Sequence, residues 1–361
     1  MLGACMNFIL DKLPPKDKEG LIELETKKVL RKTIRTNKKL AELKGYSEAV
    51  PNKNILLNAI TLIEAKDSSE IENIITTHDE LFDALSKQVL VPSPAKEVLN
   101  YKEAIWRGID LLSEREIITT NMIVEIQAII EGNNAGIRKQ SGTLLKNEIT
   151  GEVVYRPPEI EREIRELLSN LEVYINSDDE IDPLIKLGIL HYQFESIHPF
   201  YDGNGRTGRI INILYLVLKD LIDAPILFLS KYIMENKSDY YRLLREVQLN
   251  NNWEEWILYI LESVHDTASE SLETLININK IIDKTASEIK EKAHKIYSYE
   301  LVELIFSEFY TRISNAEKVL GVSRKTASNY LNVLVNIGVS ELEVRGRENI
   351  YINKRLVDIF K

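Results

Sequence analysis

The sequence predicts a mainly α-helical fold with a small β-hairpin flap near its middle and a winged helix-turn-helix at its end. Three observations predict it. Glycine and proline are sparse, 15 and 10 among 361 residues. Long segments repeat apolar residues at three- and four-residue spacing, the period of a helix with one buried face. Two stretches, 143–155 and 340–352, instead carry short runs of β-formers around a turn.

The elements follow in order. Leu21, Leu24, Val29 and Leu30, then Leu56, Ile60 and Ile63, sit at helical spacing. Pro92 and Pro94 stop the helix that carries Leu81 and Leu85, because proline removes a donor and crowds the preceding turn. This bounds an N-terminal helical region at residues 1–92 and opens a core at 93–265. Thr143–Tyr155 (TLLKNEITGEVVY) places two short runs on either side of Ile149-Thr150-Gly151, with Gly151 suited to a positive φ. An isolated hairpin is marginal in water, so this one must lean on the helical body; a plain surface turn is the competing reading. Leu184, Leu187, Leu190 and Phe194 mark a helix before a glycine-rich loop, and Ile210, Ile213, Leu214 and Val217 mark one after it. Residues 266–298 are polar and helix-forming and read as one or two connecting helices. Residues 299–361 form a separate unit. There, Ile313–Leu320, the turn Gly321-Val322-Ser323 and the run Lys325–Ile337 give helix, turn and helix, and Ser340–Val344 and Asn349–Ile352 form the wing.

Composition narrows the class. Hydrophobic residues at 44% and charged residues at 28% suit a globular chain and exclude a disordered or collagen-like one. No apolar run approaches the roughly 18 residues of a membrane span, and Met1–Leu13 lacks a basic leader and a cleavage site. The expected compartment is cytoplasmic, with no membrane partner. A single cysteine, Cys5, excludes an internal disulfide and a cysteine zinc site, and no two of the five histidines stand at i, i+4. A net charge of −10 argues against wholesale coating of nucleic acid and leaves room for a local basic patch.

The chemistry concentrates in His198-Pro199-Phe200-Tyr201-Asp202-Gly203-Asn204-Gly205-Arg206-Thr207-Gly208-Arg209. Its Gly203-x-Gly205-x-x-Gly208 imitates a dinucleotide fingerprint, but that fingerprint needs a strand before the glycines, and here a helix precedes them. Gly203 and Gly205 let backbone N–H groups approach an anion, and the following helix adds its positive end, so phosphate fits there. Arg206 and Arg209 can grip phosphate oxygens. Asp202, the loop's carboxylate, suits Mg²⁺, which takes one or two carboxylates alongside phosphate and water. His198 is the natural general base.

Every specified position of H-x-F-x-D/E-G-N-G-R-x-x-R is filled, by His198, Phe200, Asp202, Gly203, Asn204, Gly205, Arg206 and Arg209. The segment therefore resembles the signature of the Fic family, helical enzymes that typically transfer AMP from ATP to a hydroxyl side chain. The resemblance implies that His198 deprotonates the hydroxyl, Asp202 holds Mg²⁺, and Asn204 with the loop amides binds phosphate. It also implies that Arg206 and Arg209 hold the outer phosphates of ATP. Gly205, where phosphorylating relatives carry lysine, favours nucleotidyl transfer. Thr143, Leu144, Leu145, Val153 and Val154 fall where the family has a flap that docks an extended target segment by strand addition. Gly136-Ile137-Arg138, Asn236–Leu243 and Trp253–Trp256 are similar to family segments too.

Ser68-Ser69-Glu70-Ile71-Glu72-Asn73 resembles the family's inhibitory motif, S/T-x-x-x-E-G/N. Ser68 and Glu72, four apart on a predicted helix, share a face. The resemblance implies that Glu72 pairs with Arg209 and occupies the γ-phosphate position. The same Glu72 could instead position a water for removing AMP, which leaves a restrained transferase and a dual-function enzyme as alternatives.

In the terminal unit Arg324, Lys325, Arg345 and Arg347 could face DNA. Residues 299–361 hold nine basic and eight acidic residues, a thin footprint for a DNA binder, so protein recognition or homodimerisation competes with DNA contact. The expected partners are thus ATP, a target protein or the chain itself. The rival class is a DNA-binding regulator whose core senses nucleotide.

Overall fold

A computed structural model describes residues 10–49, 53–77, 80–81, 93–143, 145–146, 153–227, 229–307, 309–345 and 348–360. The chain divides into two compact units, one of residues 1–41 and 64–268, the other of 42–63 and 269–361.

In the first unit a short hairpin of β1 (Lys16–Asp17) and β2 (Gly20–Leu21) leads to α1 (Lys27–Ala49), whose boundary with the second unit falls inside the helix. The same holds for α2 (Lys53–Ile71), which enters the first unit at Glu64. Of the helix expected to stop at Pro92 and Pro94, Leu85 and Pro92 lie outside the described residues; Pro94 is itself the first residue of a helix. It opens α3 (Pro94–Arg115), where its missing N–H costs nothing, and Ser93 caps the helix by accepting the Lys96 N–H at 3.2 Å. Next come α4 (Thr120–Glu131), the strands β3 (Leu145–Lys146) and β4 (Val153–Tyr155), α5 (Glu161–Asn176), α6 (Pro183–Ile197) and α7 (Asn204–Leu218).

The expected hairpin is present as the antiparallel pair β3–β4, with Leu145 opposite Tyr155, Lys146 opposite Val153 and a register shift between. Leu144 and the turn at 147–152 lie outside the described residues. α6 is buried on almost every side, which is why its sequence reads as nearly continuous apolar residues. α7 packs on α3, α4 and α6, so the glycine-rich loop between α6 and α7 is fixed at both ends by packed helices. The unit closes with α8 (Leu229–Glu235), α9 (Lys237–Asn250) and the start of α10 (Trp253–Lys292). Trp256, fully buried, donates its indole N–H to the Gly188 carbonyl at 2.8 Å.

In the second unit the rest of α10 is followed by α11 (Tyr299–Ser307), β5 (Tyr310–Arg312), α12 (Ile313–Leu320), α13 (Arg324–Asn336), β6 (Glu341–Arg345), β7 (Glu348–Ile352) and α14 (Lys354–Val357). Gly321 ends α12 with φ 62°, and Ser323 caps α13 through the Thr326 N–H. The hairpin expected as a wing is β6–β7, and a strand the sequence did not signal, β5, joins it in the order β5-β7-β6. Arg324 and Lys325 are exposed at the first turn of α13; Arg347 and the Arg345 side chain lie outside the described residues. Among the described residues no helix is long and apolar enough to cross a membrane.

Candidate active site

The loop from His198 to Gly203 is built by two helix ends. α6 finishes with His198 in the left-handed region, φ 47° and ψ 59°, its N–H donating to the Phe194 carbonyl at 3.1 Å. Gly203, φ 76°, opens α7, and a side chain there would be strained and would overlap the Glu131 carboxylate. Phe200 is fully buried beside Phe194 and anchors the loop. The Asn204 amide spans it: Oδ1 accepts the Phe200 N–H at 2.8 Å and Nδ2 donates to the Phe200 carbonyl at 2.9 Å. Both ends of that side chain are thereby committed to the loop, which leaves the Asn204 main chain to meet an anion. Asp202 is exposed at the tip, where its Oδ1 accepts the Gly203 N–H at 2.7 Å.

The two arginines expected to grip one anion part company. Arg206 is 3% exposed and donates to Glu97 on α3 at 3.2 Å and to Glu131 on α4 at 2.8 Å. It fastens the start of α7 to the helices behind it. Arg209, 2% exposed, turns to the end of α2, where Nε donates to Ser68 Oγ at 2.7 Å and Nη2 donates to the Ser68 carbonyl at 2.8 Å and to Glu72 Oε1 at 3.0 Å.

α2 ends at Ile71, so Glu72 stands in the turn beyond the helix and not, as expected, on it. Asn73 adopts φ 61°, and the Ile74 N–H returns to the Ser69 carbonyl at 3.0 Å. This left-handed ending explains why the motif closes on Gly or Asn, the residues that tolerate such a φ. A helix C-terminus leaves four carbonyls without intrahelical partners. Here Ser69 and Glu70 are satisfied by the turn, Ser68 by Arg209, and Ile71 by the Lys237 ammonium at 2.6 Å. Farther back, buried Glu64 anchors α2 by accepting the Ser230 N–H at 3.0 Å, the Ser230 hydroxyl and the Tyr101 hydroxyl at 3.2 Å. Burial pushes its carboxyl up to about 7. A Cβ at Gly205 would overlap the Glu72 carboxylate and come within 2.9 Å of Arg209 Nη1, so a glycine is needed where these two meet.

His198 is held neutral. Burial, and then the charge of Arg138, lower its imidazole to about 4, against the opposing pull of Glu72, the Glu195 carbonyl and Asp202. Among the described residues its buried Nδ1 has no hydrogen-bond partner. Glu195, one turn earlier, has a buried Oε1 with no partner among the described residues, and burial pushes its carboxyl up to about 7. His191, lowered to about 3 by burial, is structural: Asn212 donates to its Nδ1 at 3.1 Å, so its Nε2–H faces the Tyr240 hydroxyl at 2.8 Å. Sequence reasoning missed Glu97, Glu131 and Glu195, and noted Arg138 and Lys237 only as parts of segments that carry the resemblance. The available signal was charge on otherwise apolar helical faces, and it does not say which charges meet.

Thr143 lies just before the hairpin, and the backbones of Leu145, Val153 and Val154 form it. Ser68, Glu72 and Arg209 come together, and Asp202 and Gly203 stand at the same helix end as His198's loop.

Comparison with known proteins agrees with this arrangement. Residues 30–110 match the Fic/DOC family N-terminal domain, residues 117–216 the Fic/DOC family domain, and residues 281–356 the C-terminal domain of SoFic-like protein adenylyltransferases. A probable protein adenylyltransferase of Aquifex aeolicus is 25% identical over 297 residues, 78% of this chain and 82% of that protein. The protein adenylyltransferase fic-1 of Caenorhabditis elegans is 26% identical over 169 residues, covering 44% of this chain but only 31% of its own length. Among solved structures, a Fic family protein from Desulfovibrio desulfuricans superposes with a TM-score of 0.58 at 19% identity, covering 91% of this chain and 96% of that one. Fic-1 of C. elegans, residues 134–508, gives 0.53 at 18% identity over 69% and 73%. With the whole H-x-F-x-D/E-G-N-G-R-x-x-R signature placed on the loop after α6 and the first turns of α7, within the matched Fic/DOC family domain and preceded by the matched N-terminal domain, the chain belongs to the Fic/DOC family.

Proposed function

We propose that the protein transfers AMP from ATP to a Tyr, Thr or Ser hydroxyl of a target protein or of itself, and that the described structure is its restrained state. One observation carries the reading: a buried imidazole, neutral at physiological pH, stands one short loop from a helix N-terminus whose buried arginine is already bound to a carboxylate. Base and anion site lie side by side, and the anion site is filled from within. The adenylyltransferase relatives support the reaction class.

In the proposed reaction the target hydroxyl loses its proton to the unprotonated ring nitrogen of His198, and its oxygen bonds to the α-phosphorus of ATP. The bond from that phosphorus to the β-bridging oxygen breaks, and pyrophosphate leaves. The backbone amides at the start of α7 receive phosphate oxygens, with the helix's positive end favouring the charge. Asp202 fits Mg²⁺, since it is exposed at that helix start and commits only one oxygen to the Gly203 N–H. When bound, the ion would neutralise phosphate charge. Arg209 would take the terminal phosphate once Glu72 withdraws, because a carboxylate and a phosphate satisfy the same guanidinium fork. A second reading, removal of AMP by a water that Glu72 orients, is favoured by the 37% exposure of the Glu72 side chain.

The test is to incubate the wild type, Glu72→Gly and Glu72→Gly/His198→Ala with Mg²⁺ and ATP labelled at the α-phosphate, with and without cell lysate, and to locate the label by mass spectrometry. AMP-bearing side chains with Glu72→Gly, lost with His198→Ala, are expected. Absence of label from every Glu72→Gly sample defeats the proposal.

A further inference from the structure

We propose that Arg138 is the positioning residue that sets His198 in its working geometry and couples it to the β3–β4 hairpin, so that a strand docked on the hairpin and the base move as one unit. The proposal rests on the AMP-transfer reading of His198.

The C-terminus of α6 leaves carbonyls that no later turn can satisfy, and each finds a partner outside the helix. The Tyr155 hydroxyl, at the end of β4, donates to the Ser196 carbonyl at 2.6 Å. Arg138 donates from Nη2 to Ile197 at 3.4 Å, from Nε to His198 at 2.7 Å, and from its own backbone N–H to Pro199 at 2.9 Å. Four consecutive carbonyls, 196 to 199, are therefore held by the segment 138–155 that contains the hairpin. The same guanidinium also donates to the Pro158 carbonyl, just past the hairpin, which closes the loop of contacts on itself.

Two features make this more than packing. Arg138 is fully buried, and its hydrogen-bond partners among the described residues are all backbone carbonyls, so its charge is spent on positioning main chain. His198 sits at φ 47°, a conformation a non-glycine side chain keeps only when its surroundings over-determine it. Arg138 grips the carbonyl of that very residue. The charged and titratable groups facing the imidazole are Arg138, Glu72 from the turn after α2, and Asp202 from the loop, with the Glu195 carbonyl of α6 beside them. Arg138 is the one that disfavours the imidazolium.

The experiment compares Arg138→Lys, Arg138→Gln and Tyr155→Phe in the full chain carrying Glu72→Gly. Arg138→Lys keeps the charge and loses the fork. It is expected to lower kcat roughly 10- to 100-fold, the scale of a misplaced catalytic group, with the KM for ATP within about twofold. Its acid limb should stay in place. Arg138→Gln removes the charge, and its acid limb, together with the NMR titration of the His198 imidazole, should move to higher pH. Tyr155→Phe should lower kcat about three- to tenfold, showing that the hairpin side of the clamp matters. An Arg138→Lys enzyme within about twofold of its parent, an unmoved His198 titration in Arg138→Gln, or an unchanged Tyr155→Phe overturns the proposal. Should Arg138→Gln fail to fold, Arg138→Lys and Tyr155→Phe decide it by kcat. Should the Glu72→Gly parent transfer no AMP, the AMP-transfer reading fails, while the His198 titration still decides whether Arg138 sets the imidazole.

Discussion

Arg209 holds Ser68 more extensively than it holds Glu72: two of its three contacts to the end of α2 go to the serine, at 2.7 Å and 2.8 Å, and one to the glutamate at 3.0 Å. Removing Glu72 therefore leaves the arginine partly engaged. Hydrogen bonds to charged groups contribute about 1.5–3 kcal/mol, so Glu72→Gly should raise self-labelling by AMP about 10- to 100-fold. Ser68→Ala should raise it less, and the double variant most. Equal labelling in Glu72→Gly and in the double variant would show that the Ser68 hydroxyl contributes nothing.

Lys237 takes the Ile71 carbonyl at the negative end of α2. Lys237→Met should free that end and raise labelling about tenfold in the wild type, the lower end of the range for a charge-assisted bond. In the Glu72→Gly background it should add little. Hydrogen exchange at the amides of 72–74 is the direct measure, and it should quicken. Unchanged exchange in a folded Lys237→Met protein would remove Lys237 from this role.

Arg206 joins α7 to α3 and α4 through two carboxylates. Arg206→Ala leaves Glu131, largely buried, without its cation, and breaking such a pair costs about 3–5 kcal/mol. A denaturant midpoint that barely moves would instead identify Arg206 as a residue kept for ligand binding.

Glu195 and His198 respond to pH in opposite senses. Glu195 has its carboxyl raised from 4.5 to about 7, so the folded state binds more protons than the unfolded state between those values. Stability from this group is full below about pH 4.5, declines as pH rises, and the cost is complete above 7. Glu195→Gln mimics the protonated form, so it should stabilise the protein at pH 8, on the order of 3 kcal/mol, and little at pH 4.5. His198, lowered to about 4, makes the unfolded state bind more protons between about 4 and 6.5; its contribution is lost as pH falls through that window. It acts equally on both variants, so thermal denaturation of the pair against pH isolates Glu195.

What was legible in the sequence was what is local. The segment from His198 to Arg209 carries its signature groups within twelve residues, and α12 spans Ile313–Leu320 as its spacing predicts, because caps and periodicity act over a turn or two. Partners supplied from far away were not legible. Arg206 meets Glu97 and Glu131 only because α3 and α4 pack behind α7, and β5 is a three-residue strand that exists by pairing with β7 some forty residues on. Glu72 illustrates the boundary between the two. Its four-residue spacing from Ser68 suggests a shared helical face, yet the left-handed Asn73 ends the helix first and a turn brings them together instead.

That ending makes the register of α2 a control in its own right. Four helical residues turn by about 400° and rise about 6 Å, so a helix that continued through residue 73 would set Glu72 one turn beyond Ser68 on the same face, whereas the turn takes its backbone off that spiral. A β-branched residue at position 73, poorly tolerated at φ 61°, would favour such continuation without touching any group that binds nucleotide. On the proposed reading the off position would be written partly as a stop signal in the backbone, and mutations that only change where one helix terminates would act as gain-of-function alleles.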